Sequence, residues 1–235
     1  MRLDIALVER QMVKSRSVAK RLIEDGLVLI NGSVVTKTNT TTHEHDQIQV
    51  TELPRFVSRA GEKLEKALEH WSIDMQEKTV LDIGSSTGGF TDCALQHGAQ
   101  RVIAVDVGTD QLDTELRQYG RIELHEKTDI RNFSLDMHVD IIVCDVSFIS
   151  LRKIIPHIDR FIHTGHIVLL IKPQFEVGQD YLNKQGVVVS EEATQKCIAD
   201  ILKDLENAGW KNLEVIDSPI RGGDGNKEFL VHGFR

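Results

Sequence analysis

Three charged residues lie directly next to apolar runs that are typical of buried β-strands. Asp145 follows the largely apolar run 139–144, Lys172 follows 167–171, and Glu228 precedes 229–233. Parallel strands end at one edge of a sheet, and an antiparallel strand can begin there, so we expect these side chains to converge. A lysine beside carboxylates can take a proton from a hydroxyl group, although a purely structural network of ion pairs would use the same residue types.

A glycine-rich turn, G-S-S-T-G-G-F at 84–90, follows the first apolar run of this region. Glycines let a ligand approach the backbone, and the helix expected after them offers free amide hydrogens. The spacing G-x-x-x-G-G differs from the G-x-G-x-x-G of dinucleotide-binding enzymes. The turn therefore predicts a nucleotide-like ligand and disfavours a dinucleotide oxidoreductase.

Two further acids stand where strands are expected to end. Asp106 ends the second apolar run, where a carboxylate can accept hydrogen bonds from both hydroxyls of a ribose. Asp129 stands where a third strand would end and could reach the edge of an adenine ring. Either acid could instead be a helix cap or a turn residue.

The elements that must position these residues alternate between strands and helices from residue 79 onward. This alternation predicts an α/β fold with a doubly wound, mostly parallel sheet. The expected strands are 80–83, 101–105, 139–144 and 166–171, followed by an antiparallel pair at 213–217 and 229–233. The expected helices are 58–70, 90–97, 149–161 and 191–208.

The first 52 residues predict a separate, small α+β domain. Apolar residues recur at helical spacing in two short segments, and Ser15 or Ser17 can cap the second helix, which ends at Gly26. Asn31-Gly32 between apolar runs predicts a β-hairpin, and residues 46–50 alternate like a further strand. We expect a linker at 53–57 and a second domain at 58–235.

The net charge of −8 divides unevenly along the chain. Residues 1–60 contain nine Lys/Arg and seven Asp/Glu, a net charge of +2, which leaves −10 for residues 61–235. A run without any acid contains Arg10, Lys14, Arg16, Lys20 and Arg21. The asymmetry indicates that the N-terminal part contacts phosphate groups, although a short basic run can also be a solvated helix face.

The composition disfavours membrane and secreted classes of protein. The longest wholly apolar run, 167–171, is far too short to cross a bilayer, and no signal peptide is visible. Cys93, Cys144 and Cys197 are widely spaced without a CxxC pair, so we expect neither disulfides nor a zinc site. These features predict a cytoplasmic protein.

Residues 15–32 follow, loosely, the pattern R-x-x-A-x-x-L-I-x-x-G-x-V-x-I/V-N-G. This pattern resembles the alpha-L RNA-binding module of a small-subunit ribosomal protein. The resemblance implies that Arg16, Lys20 and Arg21 contact RNA phosphates, with Arg2, Arg10 and Lys14 as further candidates. Such contacts position a protein on RNA without reading its sequence.

Five motifs extend the resemblance over essentially the whole chain. They are V-S-R-A-G-E-K-L at 57–64, the turn at 84–90, D-V-S-F-I-S-L at 145–151, I-K-P-Q-F-E at 171–176, and S-P-I with G-N-K-E-F-L at 218–220 and 225–230. Together they make the chain similar to the haemolysin A-like (TlyA) ribosomal RNA 2′-O-methyltransferases, whose catalytic domain is of the FtsJ type. The resemblance implies a Rossmann-like class I methyltransferase domain that modifies a cytidine ribose at the interface of the ribosomal subunits.

The same resemblance implies a catalytic tetrad of Lys63, Asp145, Lys172 and Glu228, and it alone singles out Lys63. Our hypothesis assigns Lys172 as the base that accepts the hydroxyl proton. Lys63 would favour the uncharged form of Lys172 and hold the substrate, since like charges disfavour each other. Asp145 would orient Lys172 and the hydroxyl, while Glu228 would fix Lys63 or the ribose.

The implied cofactor is S-adenosylmethionine, with S-adenosylhomocysteine as product and no metal ion. The residues expected to bind it are Gly84, Ser85, Ser86, Thr87, Gly88, Gly89, Phe90, Asp106, Val107, Asp129, Ile130 and Asp145. The implied partners are ribosomal RNA or ribosomal subunits, with no membrane, and a monomer is favoured. In the family that the chain resembles, short termini go more often with modification of the large subunit alone, so the resemblance implies that substrate.

The sequence departs from the family pattern at three places. Residues 111–117 read Q-L-D-T-E-L-R where Q-L-A-W-K-L-R is usual, so one wall of the cofactor pocket is expected to differ. Residues 186–190 read G-V-V-V-S instead of G-V-V-R-D, and Asp129 replaces a common Asn. None of these changes removes a member of the tetrad.

Two alternatives stay open from the sequence. The historical family name suggests a membrane-active haemolysin, for which the chain has no suitably amphipathic or apolar segment. A non-catalytic RNA-binding or ribosome assembly factor would keep the fold without the activity. The intact tetrad argues against that factor, and the altered segment 111–117 argues weakly for it.

Overall fold

The computed structural model describes residues 1–235 and divides them into two compact units, Met1–Val57 and Ser58–Arg235. The N-terminal unit has two helices, α1 (Leu3–Glu9) and α2 (Arg16–Glu24). Three antiparallel strands, β1 (Val28–Ile30), β2 (Ser33–Val34) and β3 (Ile48–Val50), form its sheet in the order β2-β1-β3. Its core consists of apolar residues from both helices, the segment between them and β1: Leu3, Leu7, Val13, Ala19, Leu22, Ile23 and Val28.

The local signals of the N-terminal sequence predicted this unit well. The Ser15 hydroxyl accepts the backbone N–H of Val18 at 3.4 Å and caps α2. Asn31 and Gly32 have φ angles of +51° and +81°, as both central residues of a type I′ hairpin turn require. The predicted cap and hairpin are therefore confirmed.

The C-terminal unit contains a seven-stranded sheet in the order β6-β5-β4-β7-β8-β10-β9. Its strands are β4 (Thr79–Ile83), β5 (Arg101–Val105), β6 (Ile122–His125), β7 (Ile141–Cys144), β8 (His166–Ile171), β9 (Lys211–Asp217) and β10 (Phe229–Phe234). Strands β4 to β8 pair in parallel, and β10 pairs antiparallel with β8 and β9. The predicted fold class, a mostly parallel α/β sheet with a small N-terminal α+β domain, is confirmed.

Four helices flank this sheet: α3 (Ala60–Trp71), α4 (Gly89–Gln96), α5 (Ile155–Ile158) and α6 (Glu191–Asn207). Alternate strand residues such as Ile83, Val105 and Leu169 belong to one large apolar core that includes residues of α5 and α6. Helix α3 packs against α4, which contacts β4 and β5. Both faces of the central strands are thereby covered, as a parallel sheet requires.

The structure corrects two expectations about secondary structure. The helix predicted at 149–161 is broken into 3-10 turns, Leu151–Lys153 and Asp159–Phe161, on either side of the short α5. Pro156 lies in the first turn of α5, and because it has no backbone N–H it cannot continue an α-helix from residue 152. The third strand, β6, ends at His125 and not at Asp129, which lies in the following turn.

Candidate active site

The four predicted catalytic side chains form two lysine–carboxylate pairs. Lys63 Nζ lies 2.6 Å from Glu228 Oε2, and Lys172 Nζ lies 2.6 Å from Asp145 Oδ1. Asp145 and Lys172 follow β7 and β8, and Glu228 precedes β10, whose first residue is paired with the last residue of β8. The predicted convergence at the carboxyl edge of the sheet is therefore present.

The Lys63–Glu228 pair is the more enclosed of the two. Lys63 is 7% exposed and Glu228 is 3% exposed, and their side chains are otherwise surrounded by protein. Lys63 lies on the buried face of α3, one helical turn before Ala67 and next to Leu64. The sequence therefore contained a signal that we did not use: a lysine within a buried helical stripe requires a partner.

The Lys172–Asp145 pair has a third member that sequence reasoning did not identify. Lys172 Nζ donates a hydrogen bond to Ser147 Oγ at 2.8 Å. Asp145 and Ser147 therefore hold the amine from the same loop, which follows β7. Ser147 stands two residues after Asp145, but no local sequence pattern distinguishes it from an ordinary loop serine.

The glycine-rich turn passes close to the loop after β7. Gly84 has a φ angle of +81°, and a Cβ atom there would lie 2.7 Å from the carbonyl oxygen of Asp145. Gly88 has a φ angle of +95°, and a Cβ atom there would lie 2.5 Å from Leu116. Glycine is required at both positions, because a side chain would meet strain and steric overlap at once.

Two adjoining cavities, of about 490 and 210 Å³, open around this turn and share Gly84, Ser86, Asp145 and Ser147. The larger volume lies within the range of small-molecule sites. Of the predicted cofactor-binding residues, the larger cavity is lined by Gly84, Ser86, Asp106, Val107, Asp129, Ile130 and Asp145. The smaller adds Ser85, Thr87, Gly89 and Phe90, as well as Lys172, whereas Gly88 lines neither.

Asp106 lines the larger cavity, and its expected role in binding a ribose stays a prediction. Its Oδ2 accepts the backbone N–H of Ser86 at 2.8 Å, and its Oδ1 accepts that of Gly108 at 2.7 Å. Each carboxylate oxygen keeps a second acceptor site, so the group can still receive two hydroxyl protons. The residues of the larger cavity thus fit a nucleoside ligand such as S-adenosylmethionine.

Asp129 lines the larger cavity, but Arg131 already binds it. Asp129 accepts the backbone N–H of Arg131 at 2.9 Å and three hydrogen bonds from its guanidinium group, the shortest at 2.5 Å. These hydrogen bonds lower the pKa of Asp129 to about 2. Its place at the edge of an adenine stays a prediction, and Arg131 is an additional polar group of this wall.

Beneath the glycine-rich turn lies a buried acid without a counter-charge. Asp82, in β4, is fully buried and accepts a hydrogen bond from the Thr91 hydroxyl at 2.5 Å. Burial raises the pKa of Asp82 to about 7, and the nearby charges of Asp145 and Asp106 act in the same direction. The group ties β4 to α4 directly below the turn.

The atypical segment 111–117 closes one wall of the turn. Leu112 and Leu116 are buried and lie against Gly88, and Asp113 donates its N–H to the carbonyl of Thr87 at 3.1 Å. Gln111 lines the larger cavity and accepts a hydrogen bond from the Ser86 hydroxyl at 3.1 Å. The segment therefore still supports the turn, although it lacks the usual Trp and Lys.

A strongly exposed aromatic side chain stands at the larger cavity. Phe148 is 91% exposed and has a φ angle of +64°, an uncommon conformation for a bulky residue. Its ring lies 5.2 Å from that of Phe175, which supports it from one side. Backbone strain of this kind often marks a functional position, and the exposed ring offers a surface on which a planar group can stack.

The predicted RNA-binding residues of the N-terminal unit differ in their surroundings. Arg2 and Arg16 both contact Asp4, at 2.9 and 2.7 Å, and the hydrogen bond from Arg2 is the main cause that lowers the Asp4 pKa to about 2. Lys14 and Lys20 are exposed, and Lys20 lies 3.7 Å from Glu24 on the same helix. The structure leaves Lys14, Arg16 and Lys20 at the surface, where a phosphate group can reach them.

The two other arginines bind backbone carbonyl groups. Arg10 donates to the carbonyls of Asp46, His43 and Glu44, the shortest at 2.8 Å. Arg21, whose side chain is 17% exposed, donates to the carbonyl of Phe56 at 2.7 Å. These contacts stabilise the unit itself, and the RNA contacts of both residues stay a prediction.

Comparison with known proteins identifies both units. Residues 56–235 match the FtsJ-like methyltransferase family, and residues 1–48 match the S4 domain. The chain belongs to the FtsJ-like methyltransferase family. Its fold is that of S-adenosylmethionine-dependent methyltransferases.

Relatives of this FtsJ-like chain share both units. Hemolysin A of Brachyspira hyodysenteriae is 40% identical over 99% of each chain. The 23S rRNA (cytidine-2′-O)-methyltransferase TlyA of Campylobacter jejuni is 37% identical, over 99% of this chain and 98% of the relative. A provisionally named hemolysin from Streptococcus thermophilus has a similar structure, with a TM-score of 0.78, 35% identity, and coverage of 100% of this chain and 88% of that one. The predicted resemblance is confirmed.

Proposed function

We propose that this chain methylates the 2′-hydroxyl of a ribose in ribosomal RNA. The observation that carries the proposal is the presence of two close lysine–carboxylate pairs at the carboxyl edge of a methyltransferase sheet, one of them lining the smaller cavity through Lys172 and Asp145. A hydroxyl group is a poor nucleophile until its proton is removed, so its methylation needs a base that methylation of an amine does not. The S4 domain supports RNA as the substrate.

The four residues form two pairs with different roles: Lys172 and Asp145 handle the proton, and Lys63 and Glu228 hold the substrate. Lys172 accepts the proton of the 2′-hydroxyl, while Asp145 and Ser147 hold its Nζ at 2.6 and 2.8 Å. The deprotonated oxygen would then be the nucleophile that receives the methyl group. S-adenosylmethionine, when bound, supplies the methyl group on a sulfonium centre.

Lys63 and Glu228 keep the ribose in line. Glu228 neutralises Lys63 at 2.6 Å, and although the buried pair lines neither cavity, it keeps a donor and an acceptor for the hydroxyl groups of a sugar once the substrate is bound. Holding two reacting groups in line can account for several kcal/mol of a reaction barrier, about 7–11 in the best intramolecular cases. This chemistry needs positioning and a base but no metal ion.

The target that fits this proposal is a cytidine at the interface of the ribosomal subunits. The relative from Campylobacter jejuni is named for a cytidine of 23S rRNA, and a relative from Mycobacterium tuberculosis, 36% identical, is named for both 16S and 23S rRNA. We propose the large subunit as the main substrate. All three cysteines are buried and none forms a disulfide, which supports our proposal that the protein acts in the cytoplasm.

The test is transfer of labelled methyl groups from S-adenosylmethionine to unmodified large and small ribosomal subunits. The wild type is compared with Lys172→Ala, and with Lys203→Ala as the matched control, because Lys203 is exposed on α6. We expect label in a ribose with the wild type and the control but not with Lys172→Ala. A wild-type rate in Lys172→Ala would refute its assignment as the base.

Other outcomes favour the two alternatives. Cofactor binding without label in either subunit would favour a non-catalytic assembly factor. The Brachyspira relative carries the name hemolysin, but no helix in this structure has the length and apolar character that spanning a bilayer requires. Release of a dye from lipid vesicles by the pure protein would support that activity.

Binding through the N-terminal unit can be tested separately. Lys14 and Lys20 are exposed, so the double variant Lys14→Ala/Lys20→Ala is expected to weaken RNA binding and to reduce its dependence on salt. The cofactor affinity should stay unchanged. An unchanged RNA affinity would exclude these two lysines from the interface.

A further inference from the structure

A buried asparagine joins two loops next to the Lys63–Glu228 pair. The Asn226 side chain is 1% exposed. Its Oδ1 accepts the N–H of Val188 at 2.9 Å, and its Nδ2 donates to the carbonyl oxygen of Gly186 at 3.0 Å. Both ends of the amide are therefore used by one backbone segment that lies about forty residues earlier in the chain.

The first of these loops is a small hairpin, called here the 182–188 hairpin. Leu182 and Val188 form an antiparallel bridge, and Asn183 donates its N–H to the carbonyl of Val187 at 2.9 Å. Within it, the Asn183 side-chain oxygen accepts the N–H groups of Gln185 and Val187, both at 2.9 Å. The hairpin is thus ordered by its own hydrogen bonds before Asn226 ties it to the rest of the unit.

The second loop leads into β10 and carries Glu228. The carbonyl of Asn226 accepts the N–H of Gly222 at 2.9 Å, and Gly225 donates its N–H to the carbonyl of Gly222 at 2.9 Å. This closure brings Gly222 against the carboxylate: a Cβ atom at Gly222 would lie 2.6 Å from Glu228 Oε1. The other carboxylate oxygen, Oε2, accepts the hydrogen bond from Lys63.

We propose that Asn226 is a positioning residue for methyl transfer, which holds Glu228 against Lys63 by locking the Gly222 loop to the 182–188 hairpin. Asn226 itself does not touch the reacting atoms. The inference rests on the proposed function, because the position of Glu228 affects transfer only if the Lys63–Glu228 pair holds the substrate.

Asn226 can hold the two loops together because its side-chain amide is the partner of two backbone groups at once. Replacing Asn226 with Ala leaves the N–H of Val188 and the carbonyl of Gly186 without their partner, so the hairpin and the loop can separate. The Glu228 carboxylate then loses the wall that Gly222 provides. A displacement of about 1 Å in a catalytic arrangement can lower a rate by about a hundredfold.

The test compares Asn226→Ala with Asn183→Ala in the full chain. The control also removes two hydrogen bonds from the 182–188 hairpin, but none that reaches the loop of Glu228. With unmodified ribosomal subunits we expect kcat to fall about tenfold or more in Asn226→Ala and to change less than about twofold in Asn183→Ala. The Kd for S-adenosylmethionine should be unchanged in both, because neither cavity is lined by these loops.

A second readout needs no activity. Hydrogen exchange at the Val188 amide of the free protein should be faster in Asn226→Ala than in the wild type. If Asn226→Ala does not fold, Asn226→Leu gives the same comparison, because it removes both hydrogen bonds while it fills a similar volume without a charge.

The outcomes separate this inference from the function on which it rests. An active wild type together with a wild-type kcat in Asn226→Ala overturns the inference alone. Equal losses in Asn226→Ala and Asn183→Ala also overturn it, since they would report a general loosening of the hairpin. An inactive wild type refutes the proposed function, and the role of Asn226 falls with it.

Discussion

Removal of the Glu228 charge should destabilise the C-terminal unit strongly, because Lys63 would stay buried without a counter-charge. The two side chains are 7% and 3% exposed and 2.6 Å apart. Removing one partner of such a pair costs about 3–5 kcal/mol of the free energy of unfolding. In Glu228→Gln the amide oxygen can still accept a hydrogen bond from Lys63, so we expect about 3 kcal/mol.

The assay is a double-mutant cycle with Glu228→Gln, Lys63→Met and the double variant, each unfolded in urea. Trp71 and Trp210, the two tryptophans of the chain, both lie in the C-terminal unit, so tryptophan fluorescence reports on that unit alone. The double variant buries no unpaired charge, and replacing a buried pair with neutral side chains is often close to neutral in stability. We expect it to recover most of the loss while it stays inactive in methyl transfer.

Two results would refute this reasoning. If Glu228→Gln unfolds at the wild-type urea concentration, and the two single changes simply add, the side chains do not form a buried ion pair. If the double variant is stable and also active, the pair is structural and has no role in transfer.

Three further predictions concern the turn, the exposed aromatic ring and a buried histidine. Gly84→Ala should weaken S-adenosylmethionine binding about tenfold or more in calorimetry, because its Cβ would lie 2.7 Å from the Asp145 carbonyl, whereas Gly120→Ala, with open space around it, should not. Phe148→Ala should leave stability within about 0.5 kcal/mol but raise KM for RNA, since stacking on a base contributes about 1–3 kcal/mol; an unchanged KM would exclude the stacking role. Burial lowers the pKa of His232 to about 4 from about 6.5, so the folded state favours the uncharged imidazole. The free energy of unfolding should therefore be highest above pH 6.5 and should fall by at most about 3 kcal/mol as the pH is lowered toward 4. His232→Phe, which keeps a ring against Trp71, should make the urea midpoint depend less on pH between pH 4 and 6.5. If the midpoint changes equally with pH in both proteins, His232 is not the group responsible.

The central strands could be predicted because each has one strong local signal. Strands β4, β5 and β8 are mostly apolar runs buried on both faces and bounded by charged or glycine residues, as parallel strands are. The edge strand β6 has no such signal: its residues are all half-buried and alternate between apolar and polar types. Its alternation covers only four residues, which is too short to separate an edge strand from a loop.

The broken helix at 151–161 shows a different limit. Its isoleucines recur at helical spacing, but Pro156 removes a backbone donor within the segment. Periodicity reports which face is buried, whereas continuity of the helix depends on every backbone hydrogen bond. The isoleucines Ile154, Ile155 and Ile158 are indeed buried, but the prediction of a regular helix was wrong.

The sequence alone could predict only those site residues whose charged side chains lie directly next to an apolar strand. Asp145, Lys172 and Glu228 carry that signal, and the structure places them at one edge. Asn226 carries none, because its importance comes from two backbone groups about forty residues away. Contacts of this kind exist only after the chain has folded, so a single sequence cannot show them.

The pairing of the four residues also bears on the roles expected of the two lysines. The initial hypothesis assigned Lys63 to act on Lys172 through its charge, yet Glu228 neutralises Lys63 at 2.6 Å. A compensated charge has a much weaker field than a free one, so the influence of Lys63 on Lys172 is reduced. The position of the Lys172 amine is set by Asp145 and Ser147, which contact it from the loop after β7. The geometry thus favours Lys172 and Asp145 as the pair that handles the proton, and Lys63 and Glu228 as the pair that holds the substrate. The double-mutant cycle at Lys63 and Glu228 tests that division. Loss of the Lys63–Glu228 pair should raise KM for RNA as well as lower kcat, whereas loss of Lys172 should lower kcat alone.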